Sequence, residues 1–387
     1  MFEEINTNRT LRNEWPKYAV FISVALLILA FFYYYINYKH EVEVQKVYLD
    51  RSDEFRQYIS LKKYKNEEIK FEKEFGKNIQ FLKISSEDFS NIDFSNIDLS
   101  NAEFEDIKFN GANFTSTKLN NIKCKKCDFT NAVFNKTDLS SSRFLDTVFK
   151  ASDFRNSRAN FAEFTNSSII DFNSQKSLFR FSKFNDTKIE NSNFDQSDFS
   201  YANLENANIS SNNFATSAFY AANLANANIT NTNLSQTQME LANLKNANLE
   251  STQLNETNLK NSNLYKANFK QADLKQADLS GAYAFEAIFT GSILSGSNLK
   301  NTELQNAIFI KAKLDAADLS FANCNNANFY RASLYQAKLV KTDFRNANLK
   351  YADLKSTINI NAIFDKSGPN TQKSDEEITD DKDITHN

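Results

Sequence analysis

Two cysteines form the pattern with the most recognisable chemistry in this chain. Cys124-Lys-Lys-Cys127 has the C-x-x-C spacing of redox pairs and of one half of a zinc site. A structural zinc site needs four ligands, but no second C-x-x-C occurs, and His40 and His386 lie outside the repeated region defined below. We therefore interpret Cys124 and Cys127 as small buried hydrophobic residues. The alternatives are a disulfide formed in an oxidising compartment and a metal site.

Acid–base catalysis would have to use surface carboxylates such as Asp273, Asp278, Asp318 and Asp343. These are scattered along the chain with lysines between them. Catalysis needs a concave pocket in which polar groups converge, and no motif here indicates one. We expect a protein that is not an enzyme, with no catalytic or metal-binding residues, no cofactor and no small-molecule substrate.

The elements that position these residues follow a five-residue period. From Phe89 to Phe364 a large apolar residue recurs at every fifth position, here called a centre, and 50 of the 56 centres are Phe, Leu, Ile or Met. Two places before the centre, Ala, Ser or Thr occupies 48 of 55 positions. Five residues advance an α-helix by about 500°, and in a strand the centres would alternate sides. A chain that turns a corner after each quintet keeps every centre inside.

The same pattern indicates how many quintets close one coil. Within the array Ile is a centre only at Ile169, Ile189, Ile209 and Ile229, whose numbers differ by multiples of 20, and this predicts four quintets per coil. The 56 quintets then make about 14 coils, and a rise of about 4.8 Å per coil gives a rod about 67 Å long.

The motif Ala-(Asp/Asn)-(Leu/Phe)-x-x resembles the pentapeptide repeat family over about 280 of the 387 residues. The resemblance implies an all-β solenoid, a right-handed quadrilateral β-helix. Corner residues agree: two places after the centre, 18 of 55 positions hold Asn and four hold Gly, the types that best adopt positive φ. Just before the centre, 12 of 16 positions from Asn193 to Asn268 hold Asn, which predicts stacked amide ladders.

Outside the repeat, Tyr18 to Ile36 is a continuous uncharged run flanked by aromatic residues, which predicts an uncleaved transmembrane helix. Lys and Arg are balanced on its two flanks, so orientation stays open. The predicted divisions are a polar tail at 1–17, a transmembrane helix at 18–38, a charged juxtamembrane helix or linker at 39–78, the β-helix at 79–365 and a disordered acidic tail at 366–387.

These features predict a single-pass membrane protein, most consistent with a bacterial inner membrane, that displays the β-helix as a non-enzymatic scaffold or protein-interaction rod. The alternative is a translocated bacterial effector acting at host membranes. Some pentapeptide repeat proteins are DNA mimics that bind gyrase, but residues 85–365 hold 28 Lys plus Arg and 30 Asp plus Glu, too balanced for a phosphate mimic. No basic stripe indicates nucleic-acid binding.

A candidate partner surface follows from apolar residues at outward positions. Four large residues recur at multiples of 20 with Ala221 between them, and three further pairs repeat the same spacing. Aligned apolar rows of this kind are typical of an interface with a protein partner, with a second copy or with the juxtamembrane helix of the same chain, although packing of the side chains over the corners is the alternative. The row is Phe161, Phe181, Tyr201 and Leu241, and the pairs are Tyr265 with Phe285, Ile288 with Ile308, and Ile310 with Tyr330.

Overall fold

The chain divides into two compact units, Met1–Glu67 with Phe81–Lys83 and Glu68–Gln80 with Ile84–Asn387. The computed structural model describes residues 30–31, 33–39, 51–65, 67 and 69–365. In the first unit, residues 30–31, 33–39 and 51–64 are helical.

Most of the predicted transmembrane segment 18–38 lies outside the described residues, as do the predicted tails 1–17 and 366–387. Within the part of the chain that is described, no helix is both long enough and apolar enough to cross a membrane. The membrane anchor therefore stays a prediction from the sequence.

A short α-helix, Phe71–Glu74, precedes the coils of the second unit. Within the charged segment 39–78, the described residues are helical at 39, at 51–64 and again at Phe71–Glu74, and residues 65, 67, 69 and 70 are not helical. Phe71 is buried, and its ring stacks on Phe94 with centroids 5.1 Å apart and planes at 8°. The short helix covers the first ring of a core column.

Seven three-residue strands are assigned among the described residues, and they form two parallel sheets. The first sheet has the order β1-β2-β3-β4 and the second β5-β6-β7. The strands are β1 (Lys83–Ser85), β2 (Glu103–Glu105), β3 (Lys123–Lys125), β4 (Arg143–Leu145), β5 (Val148–Lys150), β6 (Ser168–Ile170) and β7 (Lys188–Glu190).

Strand pairs join residues whose numbers differ by 20, as in Phe104↔Cys124 and Ile169↔Ile189. Isolated parallel bridges keep this spacing from Asn78↔Asp98 to Asp343↔Ile363. The second unit is therefore a β-solenoid in which each coil consists of four quintets, which confirms the prediction of four quintets per coil.

The core consists of centres stacked on like centres of adjacent coils. Phe269, Phe289, Phe309 and Phe329 form one such column, with successive ring centroids 5.0, 4.8 and 4.6 Å apart and planes within 5°. Ser and Thr two places before the centres donate hydrogen bonds to backbone carbonyl oxygens in the interior. The Thr117 hydroxyl, for example, donates to the carbonyl oxygen of Phe94 at 2.7 Å. The restriction of these positions to Ala, Ser and Thr follows from the lack of space and the available acceptors.

The positive φ predicted at the corners and the Asn ladders predicted on the outer faces are both present. Residues two places after the centres have φ near +60°, from Asn91 to Asn361, whether or not they are Asn or Gly. The predicted amide ladders are present, since Asn223 Nδ2 donates to Asn203 Oδ1 at 3.0 Å and Asn243 Nδ2 to Asn223 Oδ1 at 2.9 Å. These contacts tie each coil to its neighbours along the outside as the stacked rings do inside.

Candidate interaction surface

One corner of the solenoid carries large apolar residues in a backbone conformation that such residues avoid. Left-handed φ costs a residue with a side chain about 1–2 kcal/mol, and only Gly and Asn adopt it readily. Six large apolar residues among the described corners of the second unit have positive φ, and five of them occupy one of the four corner columns. That column contains Phe161, Phe181, Tyr201, Leu241 and Phe321, and the sixth residue, Tyr351, lies in another.

The structure brings the predicted row together on the outside of this corner. Phe161 is 58% exposed, Phe181 45%, Tyr201 49% and Leu241 47%. The rings of Phe161 and Phe181 stack at 5.1 Å and 4°, and those of Phe181 and Tyr201 at 4.8 Å and 2°. The three aromatic rings are therefore parallel, and their outer edges face solvent. We call residues 161, 181, 201, 221 and 241 the corner row.

Ala221 interrupts the corner row between Tyr201 and Leu241. Tyr220, the residue before it, places its ring edge-on against Tyr201 at 5.5 Å and 75° and is partly exposed. The row therefore presents three stacked rings, a small gap and then Leu241.

The predicted pairs are less exposed than the corner row. The residues Tyr265, Phe285, Ile288, Ile308, Ile310 and Tyr330 are all half-buried. Tyr265 and Phe285 stack at 5.9 Å, and the ammonium groups of Lys245 and Lys266 lie 5.7 and 5.2 Å from the centre of the Tyr265 ring. Ile288 and Ile308 are bridged in parallel. Contacts within the chain thus cover much of this second group.

Several exposed aromatic residues were not identified from the sequence, among them Phe321 and Tyr283. Phe321 is 52% exposed in the same column as the corner row, eight coils after Phe161, with Lys341 Nζ 5.5 Å from its ring centre. Tyr283 is exposed and stacks near Tyr265 at 6.1 Å. A search of the complete column for apolar residues would have identified Phe321, because its number differs from that of Phe161 by a multiple of 20.

A sequence model described as pentapeptide repeats matches residues 88–144, 177–214 and 222–358 in overlapping copies, more than half of the chain. The chain belongs to the pentapeptide repeat family. No curated protein matches it.

Several solved structures of pentapeptide repeat proteins are similar to the chain at low identity. QnrB1, a plasmid-mediated fluoroquinolone resistance protein, is 18% identical, with 52% of this chain and 90% of QnrB1 covered and a TM-score of 0.26. HetL, involved in heterocyst differentiation regulation in the cyanobacterium Nostoc sp. strain PCC 7120, is 20% identical, with 74% and 86% covered and a TM-score of 0.14. A pentapeptide repeat protein from the Arabidopsis thaliana thylakoid lumen is 29% identical, with 25% and 60% covered and a TM-score of 0.14.

The repeat fold explains the burial of all three cysteines but changes the interpretation of two. Cys124 and Cys127 are buried, as predicted, but they are joined by a disulfide, which was the alternative to the preferred interpretation as small buried hydrophobic residues. Both residues occupy inward positions of successive quintets, which places their Cα atoms 5.9 Å apart, within disulfide range. Cys324 is a buried free thiol, and burial raises its pKa far above the usual value.

The four carboxylates considered for catalysis act as turn caps. Burial opposes the charge on Asp278, but hydrogen bonds from Ser280 and Lys260 hold the pKa of this carboxyl below its usual value. The side chain and the backbone N–H of Arg345 both donate hydrogen bonds to Asp343, and these lower the pKa of its carboxyl group. Asp318 and Asp273 accept the backbone N–H two residues later in the same way. A lowered pKa keeps Asp278 and Asp343 ionised, as their hydrogen bonds in the turns require.

Proposed function

We propose that this pentapeptide repeat protein is a membrane-anchored, non-enzymatic rod that binds a protein through its corner row. The single observation that carries the proposal is the exposed, stacked ladder of Phe161, Phe181 and Tyr201 at left-handed corners. Proteins of this family are generally structural or interaction proteins. The proposed rod is a right-handed quadrilateral β-helix of about 14 coils.

Stability of the fold accounts for only part of the row. At each corner Asn or Gly would avoid the cost of about 1–2 kcal/mol for a large side chain. Stacking of one ring on the next returns about 0.5–1.5 kcal/mol per pair, so the two pairs offset only part of the strain of the three aromatic residues, and partial burial of the rings offsets more. Residues held in a strained backbone conformation for a small net gain in stability are a recognised mark of functional sites. The exposed ring edges then provide the apolar area of an interface.

The membrane anchor is proposed from the sequence of residues 18–38 alone. The Cys124–Cys127 disulfide supports an orientation with the solenoid on the oxidising side of the membrane, because cytosolic thiols are normally kept reduced. Deletion of residues 1–38 should move the protein from the membrane fraction to the soluble fraction. If the truncated chain still sediments with membranes after a high-salt wash, another segment binds lipid and the anchor is misassigned.

Gyrase binding by DNA mimicry is a weaker explanation for this chain. The solenoid carries almost equal numbers of basic and acidic residues, and many of its carboxylates are paired, as in Lys183–Glu163 at 2.7 Å and Arg180–Asp198 at 2.5 Å. A phosphate mimic needs a strong negative field, which this distribution does not supply.

The proposal is tested by changing Phe161, Phe181 and Tyr201 together to Ser in the full-length chain. The matched control changes Asn261 and Asn301, corner residues of the same column outside the row, to Ser. The triple variant should lose the cross-linked products formed in cells while keeping the circular dichroism spectrum of the folded control, although the loss of two ring stacks, about 2 kcal/mol together, lowers its melting temperature. Unchanged cross-links with a lowered melting temperature would show that the row serves stability only.

A further inference from the structure

The corner row is complementary to itself when it is reversed. In chain order it presents Phe161, Phe181, Tyr201, the gap at Ala221, and Leu241, one residue per coil. When a second copy runs antiparallel with the two Tyr201 residues opposite each other, Phe181 of each copy faces the gap at Ala221 of the other. Phe161 then faces Leu241. Each gap receives a ring, and one twofold axis relates all the contacts.

A parallel pair does not achieve this fit. In that arrangement identical residues face each other, so Phe181 meets Phe181 and Ala221 meets Ala221. The rings would hold the two corners apart, and a void would remain at each Ala221. Unfilled space forfeits dispersion contacts, so the antiparallel register is the better packed of the two.

The charge distribution also suits a second copy of the same chain. Residues 206–239, which include the gap, contain no Asp, Glu, Lys or Arg, although 24% of the chain is charged. Beside the row, Arg180 is paired with Asp198 and Lys183 with Glu163. Identical surfaces can therefore meet without the like-charge repulsion that usually prevents self-association. The same reversal places Arg180 of one copy opposite Tyr220 of the other, a favourable cation–π combination.

We propose that two copies of this chain associate side by side in antiparallel orientation through the corner row, with the twofold axis at Tyr201. This inference rests on the proposed function and specifies its partner. The exposed parts of the four large side chains amount to about two whole side chains per copy, or roughly 300–500 Å². Specific interfaces bury about 800 Å² per partner, so the dimer is weak and depends on concentration.

Cysteine cross-linking of the full-length chain in detergent tests the orientation. Two differently tagged variants, Phe161→Cys and Leu241→Cys, are mixed and treated with a short bis-maleimide. The antiparallel pair gives a product that carries both tags, whereas Phe161→Cys alone gives none. The native cysteines do not interfere, because two are in a disulfide and Cys324 is buried. A homotypic Phe161→Cys product would show a parallel pair and overturn the proposal.

Filling the gap is the second test. Ala221→Phe should block the Phe181 ring of the other copy and weaken dimerisation at least about tenfold in sedimentation velocity. Asn261→Phe is the matched control, because it adds a ring to the same column outside the row. Equal dimerisation of both variants would overturn the proposed register.

Different results would contradict protein binding by the corner row and antiparallel self-association. If rods do not cross-link to each other but the triple Ser variant loses a different protein partner, self-association is wrong and the corner row remains a binding surface. If the row variants change no cross-link at all, both proposals are wrong.

Discussion

Two nearby phenylalanines, Phe181 and Phe184, allow a direct comparison of corner row and core. Phe184 is fully buried and its ring stacks on Phe164 at 4.7 Å, so Phe184→Ala should cost about 3–5 kcal/mol of unfolding free energy. Phe181→Asn loses two ring stacks, about 2 kcal/mol together, and partial burial worth about 1 kcal/mol. It regains about 1–2 kcal/mol because Asn tolerates positive φ. The net cost should be about 1–2 kcal/mol.

Urea unfolding followed by far-ultraviolet circular dichroism measures this difference. Phe181→Ala is the control for backbone strain, because Ala keeps most of the cost of positive φ and should be less stable than Phe181→Asn. If Phe181→Asn lowers the unfolding midpoint as much as Phe184→Ala does, the corner row belongs to the core and the reasoning about strain is refuted.

Three further predictions concern the interior and its charges. Ile209→Asp should cost several kcal/mol or prevent folding, since it places an unpaired carboxylate in the buried column of Ile189, Ile209 and Ile229; a melting curve equal to that of the unaltered protein would contradict this. Thiol titration of the unfolded, unreduced protein should detect one thiol, Cys324, and three only after reduction; three from the start would show that the disulfide is absent. Partial burial opposes the charge on Asp98, Asp128 and Asp278, but hydrogen bonds outweigh it and lower the pKa of each carboxyl group in the folded state. These carboxylates therefore contribute fully to the free energy of unfolding above the pKa of an unfolded Asp, about 4, and lose that contribution as the pH falls. The urea midpoint should stay level from about pH 7 to 5 and fall below about pH 4, and a midpoint unchanged down to about pH 2 would contradict these assignments.

The repetitive part of the fold could be predicted from the sequence because each coil repeats the same constraint. A centre such as Ile209 must fit between Ile189 and Ile229, so the length of one coil is visible in the residue types themselves. The corner row could be located for the same reason. Its exposure and ring stacking could not, since they depend on how far each side chain leans over the corner.

Features that occur once in the chain were harder to predict. The short helix Phe71–Glu74 comes with a contact between the rings of Phe71 and Phe94, and Phe94 lies more than one coil further along the chain. The disulfide depends on the distance that the corner imposes between Cys124 and Cys127, and a C-x-x-C spacing does not reveal that distance. Each of these contacts occurs once, so no repeated pattern in the sequence indicates it.

Photo-cross-linking at one corner position is the most direct test of whether the corner row is a contact surface. A photoreactive phenylalanine replaces Phe161 in the full-length chain, and the control places it at Ser141, an exposed corner one coil earlier in the same column. In intact cells, position 161 should give a discrete adduct, at twice the mass of the chain if the partner is a second copy, and position 141 should give little. Equal yields at the two positions, or no adduct at 161, would contradict the assignment of the row as a binding surface.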